Sequence, residues 1–284
     1  MKDQQTSAEL PFASWGGGAR YRCKGWLLAF AAAVALVLLL AAPGHAQPRK
    51  PHVPIGIDPG GVMIVIAADT GFDYTQKDIA GRLARDGEGE LIGWDFVDED
   101  RKPYAPAASA PQSTDLARSI LAETPLARLA VFRAKPGDKI AIGRLAVYAA
   151  RSQSRIALVV SASTERSDWE AFTEAVAHYK GMLVIVPSDP AIPPYPAALG
   201  LENILTVTTT ESAPAARPPD RRPADLAIET GGKDAVFAAA RIAAFAARLV
   251  AAEPSLDGVA LKARILGHAP PLQAPSRDGA ATPR

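Results

Sequence analysis

The stretch "VMIVIAADTGFDYTQKDIAGRL", Val62 to Leu83, decides how the rest of the chain is read. An apolar run climbs to Asp69 and then turns at Thr70-Gly71. A continuous apolar run of this length, bounded by a glycine turn, suits a strand buried on both faces. A carboxylate at the end of such a strand is a candidate for chemistry.

Similar runs recur along the chain. Leu129–Phe132, Ile156–Val160, Leu183–Val186 and Ile204–Thr208 read as further buried strands. Helical patterns lie between them, at Ser113–Ala122, Ile142–Ala150, Ser167–Tyr179, Ala235–Ala252 and Asp257–Leu266. Ser167-Asp168-Trp169-Glu170 has the form of a capping box. Ala235–Ala252 is apolar nearly all round and predicts a helix buried on most sides. The alternation predicts an α/β fold with a mostly parallel central sheet.

At the N-terminus, residues 26–42, "WLLAFAAAVALVLLLAA", are uninterrupted apolar residues, preceded by Arg20, Arg22 and Lys24 and followed by Gly44-His45-Ala46. Basic, apolar, then small is the order of a secretory signal, with cleavage expected after Ala46. The run is slightly long for a signal core and barely long enough to cross a bilayer, so retention as an anchor stays open. In both cases the basic flank, residues 1–25, stays inside and the domain is exported. Residues 47–54, "QPRKPHVP", read as a linker, residues 55–266 as one domain, and residues 267–284 as a disordered Pro/Ala tail.

Charge and cysteine content narrow the classes. The chain has 284 residues and a formal net charge of +1. Outside residues 1–46 the acidic and basic side chains nearly cancel, so no nucleic-acid footprint is visible. The single cysteine, Cys23, lies in the leader, which leaves the domain without a disulfide or a thiol nucleophile. No cofactor motif is present, and no metal ligand set is assigned. Asp95, Asp98, Glu99 and Asp100 form an acidic loop that reads as solvated, with calcium binding as the alternative. Asp-Thr-Gly also marks aspartic proteases, but those need two such carboxylates and this chain offers one.

Four segments together carry a resemblance. These are "VIAADTGFDYTQKDIAGRL", "LIGWDFVDEDRKP" (Leu91–Pro103), "GMLVIVPSDPAIPPYPAALGLENILTVTTTE" (Gly181–Glu211) and "AVFAAARIAAFAARLVAAEPSLDGVALKARIL" (Ala235–Leu266). In that order they resemble the subtilases, the subtilisin-like serine proteases, over roughly residues 55–266. The resemblance implies a three-layer fold with helices on both faces of the sheet. It also assigns roles. Asp69 matches the triad aspartate. Gln112, in Pro111-Gln112-Ser113-Thr114, stands where the histidine should be. Val236 stands in place of the nucleophilic serine, and Ser188 in place of the oxyanion asparagine. Ser161-Ala162-Ser163 matches the edge against which substrate peptides lie.

Those replacements remove the chemistry. A serine hydroxyl must attack and an imidazole must carry its proton. The amide of Gln112 has no basic site near neutral pH, and Val236 has no nucleophilic atom. Losing either group removes nearly all of a triad's contribution, as the subtilisin knock-outs establish. None of His45, His52, His178 and His268 lies near the gap in sequence, and nothing pairs Lys180 or Lys233 with a serine. The expectation is an exported pseudoprotease that binds a peptide or protein partner. The alternatives are a serine endopeptidase with non-standard residues, Ser188 or Ser161 as nucleophile, and a purely structural domain. Asp69 is expected to accept N–H groups of the Thr70-Gly71 turn and to be satisfied by Gln112 or water.

Overall fold

The computed structural model describes residues 50–211 and 224–268. The predicted leader (1–46), the first part of the linker, most of the Arg/Pro-rich loop after Glu211 and the tail beyond His268 lie outside the described residues.

In chain order the elements are β1 (Val62–Ala68), a one-turn α1 (Lys77–Ala80), β2 (Gly93–Asp95), α2 (Pro111–Glu123), β3 (Ala127–Arg133), α3 (Lys139–Arg151) and β4 (Ile156–Val159). They continue with α4 (Glu170–His178), β5 (Leu183–Pro187), β6 (Ile204–Thr209), β7 (Leu226–Ile228), α5 (Ala235–Ala252) and α6 (Gly258–His268). The strands form one seven-stranded sheet in the order β2-β3-β1-β4-β5-β6-β7. Every neighbouring pair is parallel.

The period of a strand explains the layers. Side chains alternate faces, so Ile64 and Ile66 of β1 enter one core with α2, α5 and α6. Met63, Val65 and Ala67 enter a second core with α3 and α4. Strands covered on both sides need apolar residues at every position, which is why β1 reads as an unbroken run. The result is helices on both faces of a central parallel sheet, as expected.

Helix α5 shows how sequence sets packing distance. Ala238, Ala239, Ala240, Ala243, Ala244, Ala246 and Ala247 are fully buried against the sheet. By length and hydropathy it could cross a membrane, but it is a core helix here. Gly71 serves a similar end at the sheet's C-terminal rim. A Cβ there would come within 2.6 Å of the Pro103 carbonyl oxygen, because Phe72 N–H donates to that same oxygen at 3.1 Å. The glycine after Thr70 is therefore required by close approach of the 103–105 segment.

Three expectations are corrected. The pattern at Ser167–Tyr179 is not one capped helix: a 3₁₀ turn, Arg166–Trp169, precedes α4, and Ser167 accepts from Lys139 Nζ at 3.1 Å instead of capping. The described part of the linker is docked: Tyr74 donates to the Pro51 carbonyl at 2.9 Å and Arg85 to that of Pro54 at 2.6 Å. Gly267 and His268, assigned to the tail, complete α6.

The acidic loop is also not a solvated face. Lys50 Nζ lies 2.8 Å from Asp95, 2.8 Å from Asp98 and 3.1 Å from Asp100, and donates to the Lys102 carbonyl at 2.8 Å. Arg133 approaches Asp95 and Asp98 at 3.1 and 3.2 Å. Asp95 is fully buried, and a buried carboxylate persists only when paired. A long-range cation thus takes the place that the sequence left to solvent or calcium.

Candidate functional site

In open parallel sheets, binding sites form at the C-terminal ends of strands. Asp69, directly after β1, and Ser188, directly after β5, lie at that end. Helix α2 begins nearby, and its N-terminus is tied to the β1 turn. Thr70 Oγ1 and Ser113 Oγ share a hydrogen bond of 2.5 Å, and Asp73 N–H donates to Thr114 Oγ1 at 3.1 Å. Gln112, between Pro111 and Ser113, is therefore beside the Asp69 turn.

Its side chain nevertheless goes elsewhere. Gln112 Nε2 donates to Asp234 Oδ2 at 3.3 Å. Asp69 is exposed, and neither the Thr70-Gly71 amides nor Gln112 engages its carboxylate. Of the partners expected for Asp69, the turn amides and Gln112 are not engaged, for a physical reason: an exposed carboxylate has water and needs no internal donor.

Asp234 is the residue that organises this end. It is the N-cap of α5, with extended backbone, and its Oδ1 accepts from Val236 N–H at 3.0 Å and Phe237 N–H at 3.2 Å. These are amides that a helix start would otherwise leave without partners. One carboxylate thus ties the first turn of α5, at Val236, to Gln112 at the start of α2. An aspartate immediately before an apolar helical run is an N-cap signal that was not assigned from the sequence, and its link to Gln112 has no local signal at all.

A second carboxylate closes the loop before α5. Glu211 Oε1 accepts from Thr230 N–H at 2.9 Å and Gly231 N–H at 3.0 Å. Gly231 and Gly232 adopt φ of 66° and 88°, the left-handed region in which glycine aims successive amides at one anion. Hydrogen bonds from Thr230 and then Gly231 hold the Glu211 carboxyl down at about 2. The folded pKa is below the unfolded one, so this loop contact is fully present above about pH 4.3 and is lost as the pH falls towards 2. Accordingly, amide-exchange protection at Thr230 and Gly231 is expected to disappear as the pH falls towards 2, and Glu211→Ala to abolish it at neutral pH.

Between these groups lies an open cleft of about 420 Å³, lined by Gln112, Asp189, Ile192, Glu211, Asp234 and Val236, with Lys233 at its side. Lys233 Nζ sits 4.9 Å over the Phe237 ring. The structure thus brings Gln112 and Val236 to one cleft. Asp69 and Ser188 are not among its lining residues. Ser188 lies in an adjoining depression with Asp189 and Ile192.

The Ser161-Ala162-Ser163 edge is partly taken. Ser163 and Tyr195 exchange backbone hydrogen bonds, N–H to carbonyl at 3.0 Å and back at 3.2 Å. Ser163 Oγ accepts from Trp169 Nε1 at 2.9 Å. Ser161 is buried, its N–H directed to the Ala67 carbonyl at 3.4 Å. The chain's own Tyr195 takes one position of the expected peptide edge, at Ser163, and no local signal in the sequence marks that pairing. Among the described residues no cluster of three or more His, Cys, Asp or Glu is arranged to hold a metal ion.

No family model matches the chain, and no curated protein matches it at a significant level. Solved structures do. The nisin leader peptidase NisP from Lactococcus lactis superposes with a TM-score of 0.54 at 12% identity, over 79% of this chain and 85% of that one. The S41 psychrophilic protease superposes with a TM-score of 0.52 at 17% identity, over 74% and 83%. The fold is subtilisin-like.

Within this subtilisin-like fold, the cleft lies at the rim where Asp69, Gln112 and Val236 were assigned from sequence. Of the two alternative serines, Ser161 has a buried Oγ, and Ser188 lies in the depression that adjoins the cleft. Lys180 is paired with Glu202 at 2.5 Å, away from both.

Proposed function

We propose that this subtilisin-like domain is an exported pseudoprotease: it binds a peptide or protein segment in the cleft between Gln112 and Val236 and does not hydrolyse it. The observation that carries this reading is the double engagement of Asp234. Its carboxylate accepts from the Val236 and Phe237 amides and from Gln112 at once. Acyl transfer needs free N–H donors aimed at a developing oxyanion. Here the helix-start donors face a fixed negative charge, which repels a second one.

Binding needs none of those groups. The cleft is large enough for a side chain, and its walls combine the apolar Val236 and Ile192 with polar Gln112. Because Ser163 is already paired with Tyr195, a ligand is held by side-chain contacts in the cleft more than by strand addition.

The test combines two measurements on the full chain. A fluorogenic peptide library is expected to show no turnover, with no covalent labelling by a fluorophosphonate. A photo-crosslinker placed at Ile192 is expected to capture peptides from a display library. Turnover that the fluorophosphonate abolishes would establish a serine endopeptidase with unusual residues instead. Absence of any specific peptide would leave a purely structural domain.

A further inference from the structure

The segment from Pro54 to Gly61 closes the opposite end of the molecule, at the N-terminal ends of the strands. It is held at alternate residues. The Pro54 carbonyl accepts from Arg85 Nη2 at 2.6 Å. A Cβ at Gly56 would meet Arg85 Nε at 3.3 Å. Asp58 accepts from the backbone N–H of Arg85 at 2.8 Å and of Gly60 at 2.7 Å, and pairs with Arg128. Arg85 itself is buried, so these anchors are firm.

The Pro54 carbonyl and the Asp58 carboxylate pin the segment on either side of Ile55 and Ile57, whose side chains are left projecting outward. They are 104% and 88% exposed, the two most exposed large apolar side chains among the described residues. Leu126, 45% exposed, adds to the same end, where its carbonyl accepts Val62 N–H at 2.9 Å. Isolated exposed apolar residues need no explanation, but a fixed outward pair on a pinned segment is a different feature.

The chain outside the structure indicates what covers it. The apolar run 26–42 ends shortly before Lys50, where the described domain begins. Even fully extended, the intervening residues reach only roughly 25–30 Å. We propose that Ile55 and Ile57 dock into the lipid interface of the bilayer that holds residues 26–42. This rests on the reading of that run as a retained anchor, and it is independent of whether the cleft binds peptides. Tethering supplies the effective concentration, so two apolar side chains suffice where they would not hold a free protein. The turn beside Gly56 carries exposed Glu88 and Glu90, so docking is apolar and draws nothing from anionic lipid. Since the cleft lies at the strands' other end, docking turns it away from the membrane.

The experiment uses the full chain with Cys23→Ser, reconstituted in phosphatidylcholine vesicles and spin-labelled at Ile57→Cys or, as a second site, Ile55→Cys. The reference is a label at Ile140→Cys, which is 75% exposed and lies beyond the C-terminal end of β3. Relative accessibility to oxygen over an aqueous nickel chelate is expected to be at least threefold higher at 55 and 57 than at 140, and unchanged by added phosphatidylserine. Equal, water-like accessibility at all three sites overturns the proposal. So does dipolar broadening between labels at 57 that shows a second copy covering the patch. Loss of peptide capture by the cleft, with lipid-like labels at 55 and 57, would defeat the functional reading and leave this one standing.

Discussion

Restoring the side chains of a triad is not expected to restore hydrolysis. In a Gln112→His/Ser188→Asn/Val236→Ser background, turnover of a fluorogenic peptide should stay near the uncatalysed rate. Adding Asp234→Gly should then raise it by about 10²-fold, the scale of a single oxyanion-hole donor. The reasoning is electrostatic. With Asp234 in place, its carboxylate occupies the amides of residues 236 and 237, where a tetrahedral oxyanion would need them. It would also hold a histidine at 112 by the contact that now holds glutamine, away from the serine. Stopped assays with single-turnover analysis would separate acylation from binding. A triple variant that is already active would show that Asp234 is no obstacle. The change has a cost: losing an N-cap carboxylate removes about 1 kcal/mol from α5, so thermal stability should fall slightly as activity appears.

The largest expected loss of stability follows from Lys50→Met. It leaves Asp95, which is fully buried, and Asp98 with only Arg133 to answer them. Breaking a buried charge network by removing one partner costs about 3–5 kcal/mol, and the partial solvent contact of Lys50 places this case near the lower figure. Urea denaturation should show a lower midpoint with an unchanged slope. Lys50→Met/Asp95→Asn should recover part of the loss, because the stranded charge is gone. An equal loss in both variants would mean that packing of the lysine stem, not charge, is what matters.

The pH dependence of that network has a definite sign. The hydrogen bond from Lys50 holds the Asp98 carboxyl below its usual range, against the effect of its burial. Burial would lower the Lys50 ammonium, but its bonds to Asp95, Asp98 and Asp100 outweigh that and raise it. A depressed carboxylate contributes stability that is present above its unfolded value of about 4 and lost as the pH falls through its folded value. A raised lysine contributes stability that is present below about 10.4 and lost as the pH rises through its folded value. Between those limits the contribution is flat, and Lys50→Met should abolish the alkaline edge and weaken the acid one, where Arg133 still acts on Asp98.

What the sequence discloses about this protein follows from burial and range. The five interior strands are legible because cover on both faces forces apolar residues at every position, as in Val62–Ala68 and Ile204–Thr209. The two edge strands are not: Gly93–Asp95 and Leu226–Ile228 are three residues each and too short to show any period. The positions of Gln112 and Val236 at one cleft are legible through the order of the matched segments. The interactions that define the cleft are not. Gln112 with Asp234, Ser163 with Tyr195 and Lys50 with Asp95 join residues far apart in the chain, and no local pattern encodes such pairs. Asp95 looked like a solvent-facing charge for the same reason: its neutralising partner lies beyond any window of periodicity.

The strand order carries a consequence for how the protein comes to be. β1 is the first strand made, yet it lies inside the sheet, paired with β3 on one side and β4 on the other. Ile64 lacks one strand neighbour until Leu129 has been synthesised and the other until Ile156 has. Pairings of such long sequence separation make folding slow, because loop closure is opposed by entropy before contacts reward it. Until then β1 cannot take its central place in the sheet. The same topology that assembles the cleft thus delays closure of the sheet until more than half of the chain has been made.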